Sequence, residues 1–215
     1  MAAALASDPG PSPTFGATPP TLDDRTEVLF DGSRFAGWHQ PNGTPSPWLV
    51  RDGVVTVTRG HAITDGEYGD FQLHLEFLCP EMPGRRGQGR ANSGVYLHGR
   101  YEVQVLDSHG DPPAMNTCGA IYSIAPALVN ATRPPGDFQT YDIVFRAPRF
   151  DDDGTVTEFA RVSVVHNGIV IHNNQELPHT TTAALFDTIT PTGPIMLQDH
   201  GNPVQYRNIW IRRLD

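Results

Sequence analysis

Residues 92–107, NSGVYLHGRYEVQVLD, hold the densest run of side chains able to move protons or bind hydroxyls in this 215-residue chain. In YEVQVL the side chains alternate, so Glu102 and Gln104 face one way and Val103 and Val105 the other, as successive residues of a strand must. One face is core and the other a candidate site. If a bulge adds one residue, Asp107 returns to the side of Glu102. Two carboxyls so placed suit general acid and base chemistry, because one can stay protonated while the other ionises. FQLHLEF at 71–77 gives a second polar row, Gln72, His74 and Glu76, opposite Leu73, Leu75 and Phe77. Met196, Gln198 and His200 form a third, opposite Leu197. Polar groups also gather at strand ends, in Asn92-Ser93-Gly94 and in QDHGN at 198–202. Three strands offering Gln, Glu, Asn and His on one face fit a sheet that binds something rich in hydroxyls. The competing reading is the solvated side of an antiparallel sheet.

Other chemistry is less well supported. Asp151-Asp152-Asp153-Gly154 has the composition of a calcium loop without its spacing or distant Glu, and reads as a solvated turn. His166 and His172 flank an Asn-Gly turn and read as surface residues. No G-x-S-x-G supplies a serine nucleophile, and no Gly-rich phosphate loop opens a helix. Cys79 and Cys118 lack CxxC spacing, which excludes a zinc knuckle or a thioredoxin motif. One disulfide or two buried thiols remain open.

The elements that must position these residues are strands. β-favouring runs punctuated by turn residues occur at 26–30, 48–51, 54–58, 71–79, 94–97, 101–106, 120–124, 140–147, 159–166, 169–173, 194–199 and 204–214, with almost no helical periodicity. Asn167-Gly168 and Asp52-Gly53 supply the positive φ values of type I′ hairpin turns. Long connections at 79–91, 107–119, 126–139 and 176–194 are candidate rims of a cleft. The pattern predicts a single all-β sandwich domain over 26–215, preceded by a Pro/Gly-rich leader over 1–25 that lacks the form of an intact signal peptide. With 24 acidic against 15 basic residues and a formal charge of −9, no basic patch awaits nucleic acid or an anionic membrane. No apolar run reaches the roughly 18 residues of a membrane-spanning helix.

LFDGSRFAGW at 29–38, W-x-x-x-D-G at 48–53, DFQLHLEF, NSGVYL, YEVQVLD, CGAIY at 118–122, TYDIVFRA, the HNG turn, GPIMLQDHG at 193–201 and the closing YRNIWIR together resemble the 3-keto-disaccharide hydrolase family. The resemblance covers about 26–215. It implies a two-sheet antiparallel jelly-roll sandwich of the concanavalin A-like lectin/glucanase type, with the site on a concave sheet. It also implies exported bacterial relatives, hence a periplasmic or extracellular setting, and a small-molecule sugar substrate already oxidised at C3 by a separate sugar 3-oxidoreductase.

The ketone acidifies the C2 proton, so a base can remove it, the C1 substituent can leave by elimination, and water can add to the enone. Carried over through the family motifs, Glu102 or His200 is the expected base, Asp107, Gln104 and Gln198 orient the sugar, and Arg100 or a metal stabilises the enolate. Glu76, Asn92 and Tyr122 complete the expected sugar-binding set. A divalent ion on Glu76, Glu102 or His200 stays open. RRGQGRA before Asn92 departs from the family pattern. The rivals are a retaining β-glucanase-like glycosidase on the same fold, against which Gln104 counts because a carboxylate is needed there, and a non-catalytic carbohydrate-binding module.

Overall fold

Short β-favouring runs bounded by turn residues become fifteen strands in the computed structural model, which describes residues 23–215. These are β1 (Thr26–Phe30), β2 (Trp38–His39), β3 (Leu49–Arg51), β4 (Val54–Thr56), β5 (Ala62–Thr64), β6 (Phe71–Leu78), β7 (Ser93–Leu97), β8 (Tyr101–Val105), β9 (Phe138–Arg146), β10 (Arg149–Phe150), β11 (Val156–Glu158), β12 (Ala160–His166), β13 (Ile169–Leu177), β14 (Met196–Leu197) and β15 (Gln205–Arg213). The large sheet runs β13-β12-β9-β6-β15-β4-β3 with β1 on β15, and the small sheet β2-β5-β14-β7-β8. Pairing within both is antiparallel, and β10 and β11 form a separate hairpin. The fold is the expected all-β two-sheet sandwich. Of the expected leader, 1–25, all but the last three residues lie outside the described ones.

Alternation decides what the sheets enclose. From β6 the buried Phe71, Leu73, Leu75 and Phe77 meet Tyr101, Val103 and Val105 of β8 and Val95 and Leu97 of β7 in one core. Each fully buried apolar side chain contributes about 1.5–3 kcal/mol. A one-residue slip of β8 would turn three of them away from the core and point Glu102 and Gln104 into it, so register is tightly specified. Both type I′ turns form, with φ of 52° and 79° at Asp52 and Gly53 and 52° and 81° at Asn167 and Gly168. The Asp151 carboxylate accepts from the backbone N–H of Asp153 and Thr155 in an exposed turn, as expected.

The differences are instructive. Residues 120–124 make only isolated bridges, through Ile121, to Val103 and Ala125. Four strands of two or three residues, β2, β5, β10 and β11, go unforeseen because an alternation needs more residues to be visible. His166 and His172 are buried rather than exposed, 1% and 3% accessible. Their Nε2 atoms bond Gln139 Oε1 at 2.9 Å and the Gly119 carbonyl at 2.7 Å. Burial pushes His166 down to about 3 and lowers His172 too. The turn is at the surface, but both strands leaving it face inward at these positions. Cys79 and Cys118 are free and buried, Cys118 Sγ lying 3.2 Å from the Tyr141 hydroxyl.

Candidate active site

The outward face of the small sheet carries the site. Its register sets Glu102 opposite Tyr96, Tyr96 opposite Met196, Met196 opposite Ile63, and Ile63 opposite His39. These five residues make one transverse row with strands about 4.8 Å apart. In the next row Gly94 faces Gln104, and the Gln198 N–H bonds the Gly94 carbonyl at 2.9 Å. β7 and β8 are joined at His98-Gly99-Arg100, with positive φ at the first two, and this tight turn brings Tyr96 onto Glu102. The free edge of β8 is covered: the Glu102 N–H donates to Thr181 Oγ1 and the Glu102 carbonyl accepts from the Tyr122 N–H. Covering an edge strand satisfies its backbone and walls the cleft.

Glu102 lies at the base of a pocket of about 140 Å³. Glu102 is 3% exposed, and its Oε2 accepts from the Tyr96 hydroxyl at 2.9 Å. Among the described residues it joins no ion pair. Desolvation therefore dominates and raises it from 4.5 to about 8, the Tyr96 hydrogen bond pulling the other way. The place is made by Gly94, where a Cβ would stand 2.3 Å from Glu102 Oε1 and 2.9 Å from Cδ.

Around the carboxyl stand neutral hydrogen-bonding groups. Gln198 Nε2 donates to the Tyr96 hydroxyl at 3.0 Å, while Gln198 Oε1 is buried with no partner among the described residues. Gln88 is the hub of the opposite wall: its Oε1 accepts from Gln104 Nε2 at 3.0 Å and from Asn92 Nδ2 at 3.1 Å. Tyr122, half-buried, and His200, exposed, line the pocket as well, with Thr182 and Ala183 of the 178–190 arm.

Of the nine residues expected at the site, the pocket gathers Glu102, Gln104, Asn92, Tyr122, Gln198 and His200. Three lie elsewhere. Glu76 is on the outer face of the large sheet, where Oε2 accepts from Arg207 Nε at 2.7 Å and Oε1 from Asn208 Nδ2 at 3.0 Å. Asp107 follows the end of β8 and pairs with Arg90, Oδ2 to Nε 3.2 Å, so the anticipated bulge beside Glu102 does not form. Arg100 is 6% exposed; it donates to the Thr188 and His98 carbonyls, anchoring the 178–190 arm rather than reaching the pocket. With Glu76 on the other sheet, the three metal candidates do not meet. Among the described residues no three His, Cys, Asp or Glu side chains converge to hold an ion.

Tyr96 and Gln88 line the site without being among the nine expected residues. Tyr96 was findable, because the turn at 98–100 aligns it with Glu102. Gln88, in a 3₁₀ turn of the Arg-rich loop (Gly87–Gly89), has no periodic pattern to mark it.

Residues 25–212 match the profile of the 3-keto-alpha-glucoside-1,2-lyase-like domain. The chain belongs to this family. A Bacteroides thetaiotaomicron relative named 3-keto-disaccharide hydrolase is 23% identical, across 87% of this chain and 78% of its own. Among solved structures, a Parabacteroides distasonis protein provisionally named a glycosyl hydrolase is 40% identical with a TM-score of 0.81, over 89% of this chain and 84% of that one. A second so named from the same organism, 22% identical with a TM-score of 0.65 over 88% and 94%, shares the fold. For the family member described here, the match spans both sheets and every residue lining the pocket.

Proposed function

We propose that the protein cleaves glycosides oxidised to a ketone at C3, with Glu102 as the base that takes the C2 proton. The observation that carries the reading is a single buried carboxyl, raised to about 8, at the base of a pocket whose other polar groups are amides, hydroxyls and one imidazole. A carboxylate that is hard to ionise is a stronger base once ionised, and it works near neutral pH. The C3 ketone supplies the acidity that an ordinary glycoside lacks.

Glu102 takes the C2 proton and the electron pair passes to the C3 oxygen as an enolate. The pair then returns to form C1=C2 as the C1–O bond breaks. The departing oxygen leaves with its bonding electrons and takes a proton from a water entering at the pocket mouth beside His200, giving the free alcohol, an enone and hydroxide. If that hydroxide then adds at C1 while Glu102 returns its proton to C2, the net reaction is hydrolysis; if Glu102 gives its proton to the hydroxide and the enone is released, the outcome is that of a lyase. Gln198 retains an unpaired acceptor and a second N–H, which suits a sugar hydroxyl beside the C3 oxygen. Asn92 and Gln104 are held by Gln88 and shape the wall. A separate oxidation at C3 must supply the substrate.

A retaining glycosidase needs two carboxyls about 5 Å apart across the scissile bond. Glu102 is the one carboxyl lining this pocket. A binding module would gain nothing from a buried group that resists ionisation. The test is release of the alcohol from a 3-keto-glucoside and from its parent glucoside, with and without chelator. Release from the keto sugar alone is expected; sugar binding without release from either would overturn the reading.

A further inference from the structure

The row that begins at Glu102 continues across the small sheet, past Tyr96 and Met196 to Ile63 and His39. At its far end is a second pocket of about 210 Å³, lined by His39, Ile63, Asp65, Glu67, Leu185 and Phe186 among others. We propose that this pocket receives the group attached at C1 of the substrate, and that it selects an uncharged ring with an apolar face and hydroxyls on its edge. The proposal rests on the glycoside-cleaving reading above.

Two observations tie the pockets together across one short wall. Tyr96, Met196 and Ile63 are buried beneath Leu185 in an apolar cluster separate from the main core, so Leu185 is the wall between the two pockets. Tyr96 and Ile63 lie two strand spacings apart, about 10 Å. A sugar ring held over Glu102 and Gln198 is thus one ring's length from the second pocket, and the ring that hangs from its C1 would cross Leu185 to enter it. The 178–190 arm serves both ends, placing Thr182 and Ala183 at the first pocket and Leu185 and Phe186 at the second.

The lining dictates the ligand's chemistry. Phe186 is 41% exposed, and its ring carries the Arg100 guanidinium 4.8 Å from the centroid. Arg100 is itself fixed to the Thr188 and His98 carbonyls, so the ring is braced from behind. Gly99 makes room for it, since a Cβ there would approach Phe186 to 3.2 Å. A braced aromatic ring with free surface is a stacking platform. His39 Nδ1 lies 2.8 Å from the Gln40 carbonyl, to which it must donate; in the neutral ring Nε2 is then an acceptor, 3.9 Å from Asp65 Oδ1. With Asp65 and Glu67 the rim is rich in acceptors, which welcomes hydroxyls and repels a carboxylate. A pyranose and a phenol both meet this description.

The experiment uses four 3-keto-glucosides: methyl, 4-hydroxyphenyl, 4-carboxyphenyl and glucosyl. Phe186→Ala should lower kcat/KM tenfold or more for at least one uncharged ring-bearing substrate and leave the methyl glucoside within about twofold. Loss on the glucosyl substrate identifies a sugar ring as occupant, and loss on the hydroxyphenyl substrate a phenol. The carboxyphenyl substrate should be at least tenfold poorer than the hydroxyphenyl one, and Asp65→Asn should narrow that gap. Equal losses on methyl and ring-bearing substrates, or no loss on any, would overturn the subsite while leaving the function standing. No release by the unaltered protein from any of the four, methyl included, would overturn the function and the subsite together.

Discussion

Gly94→Ala is the sharpest perturbation available, because it moves the carboxyl without touching its chemistry. The added Cβ would stand 2.3 Å from Glu102 Oε1, 2.9 Å from Cδ and 3.0 Å from Cγ. All three atoms belong to a flexible side chain rather than to backbone, so Glu102 gives way and β7 stays paired. Gly94 does not have the positive φ that would strain an alanine. Displacement of the carboxyl breaks the 2.9 Å bond from Tyr96, at a cost of about 1–2 kcal/mol. Loss of the flexible glycine from the unfolded chain returns about 0.4–1 kcal/mol. The net change of roughly 1 kcal/mol should lower Tm by about 2–4 °C in a domain of this size. Catalysis is far more sensitive, since a misplacement of about 1 Å can cost 100-fold, equal to about 2.7 kcal/mol in the barrier. Steady-state release of the alcohol from a methyl 3-keto-glucoside, with a thermal melt alongside, gives both numbers. A folded Gly94→Ala protein within threefold of the parent activity would refute the placement of Glu102 as base.

The pH dependence follows from Glu102, which keeps its proton in the folded protein up to about 8 against an ordinary 4.5. Below about 4.5 both states hold the proton; between 4.5 and 8 only the folded state does, so folding stability falls with rising pH across that window and levels above it, by roughly 5 kcal/mol at most. Urea denaturation at pH 5 and pH 8 should show a slope that Glu102→Gln flattens, and that variant should be inactive. As the ionised base, Glu102 should give a kcat/KM that climbs toward a plateau above about pH 8, and Tyr96→Phe, which removes the bond that lowers the carboxyl, should move that limb to higher pH; an unmoved limb would separate Tyr96 from the reaction. Asp107→Asn should keep activity within about threefold while chemical denaturation reads a loss of about 1–3 kcal/mol, because Asp107 serves Arg90.

The sites of these changes mark how far the sequence was legible. Glu102, Gln104 and Gln198 could be put on one face by alternation alone, because each strand's core residues, Val103 and Val105 or Leu197, declare the opposite face. Glu76 could not. Alternation in FQLHLEF separates Glu76 correctly from Leu75 and Phe77, but which sheet takes the strand is decided by its pairing with β9 and β15, some 60 to 140 residues later in the chain. Asp107 was misplaced for a different reason: the two-residue period ends where the strand ends, and β8 stops at Val105. The second pocket was invisible, since His39 and Ile63 sit in strands of two and three residues.

A polar row on a strand is therefore ambiguous until its partners are known, and the two rows here show what resolves it. On β6, Glu76 meets Arg207, and His74 meets Asp142 at 2.7 Å and stacks on Trp210. Glu76 and His74 each find a partner within the protein, leaving nothing for a ligand to satisfy. On β8 and just after β14 the same residue types meet only neutral partners, Tyr96 and Gln88, and one acceptor, Gln198 Oε1, meets none among the described residues. A buried carboxyl without a countercharge is costly to ionise, by about 1.4 kcal/mol for each unit its pKa is raised. At neutral pH that cost lowers folding stability and returns nothing to it, so it counts for chemistry: the row to assign to function is the one the fold leaves uncompensated.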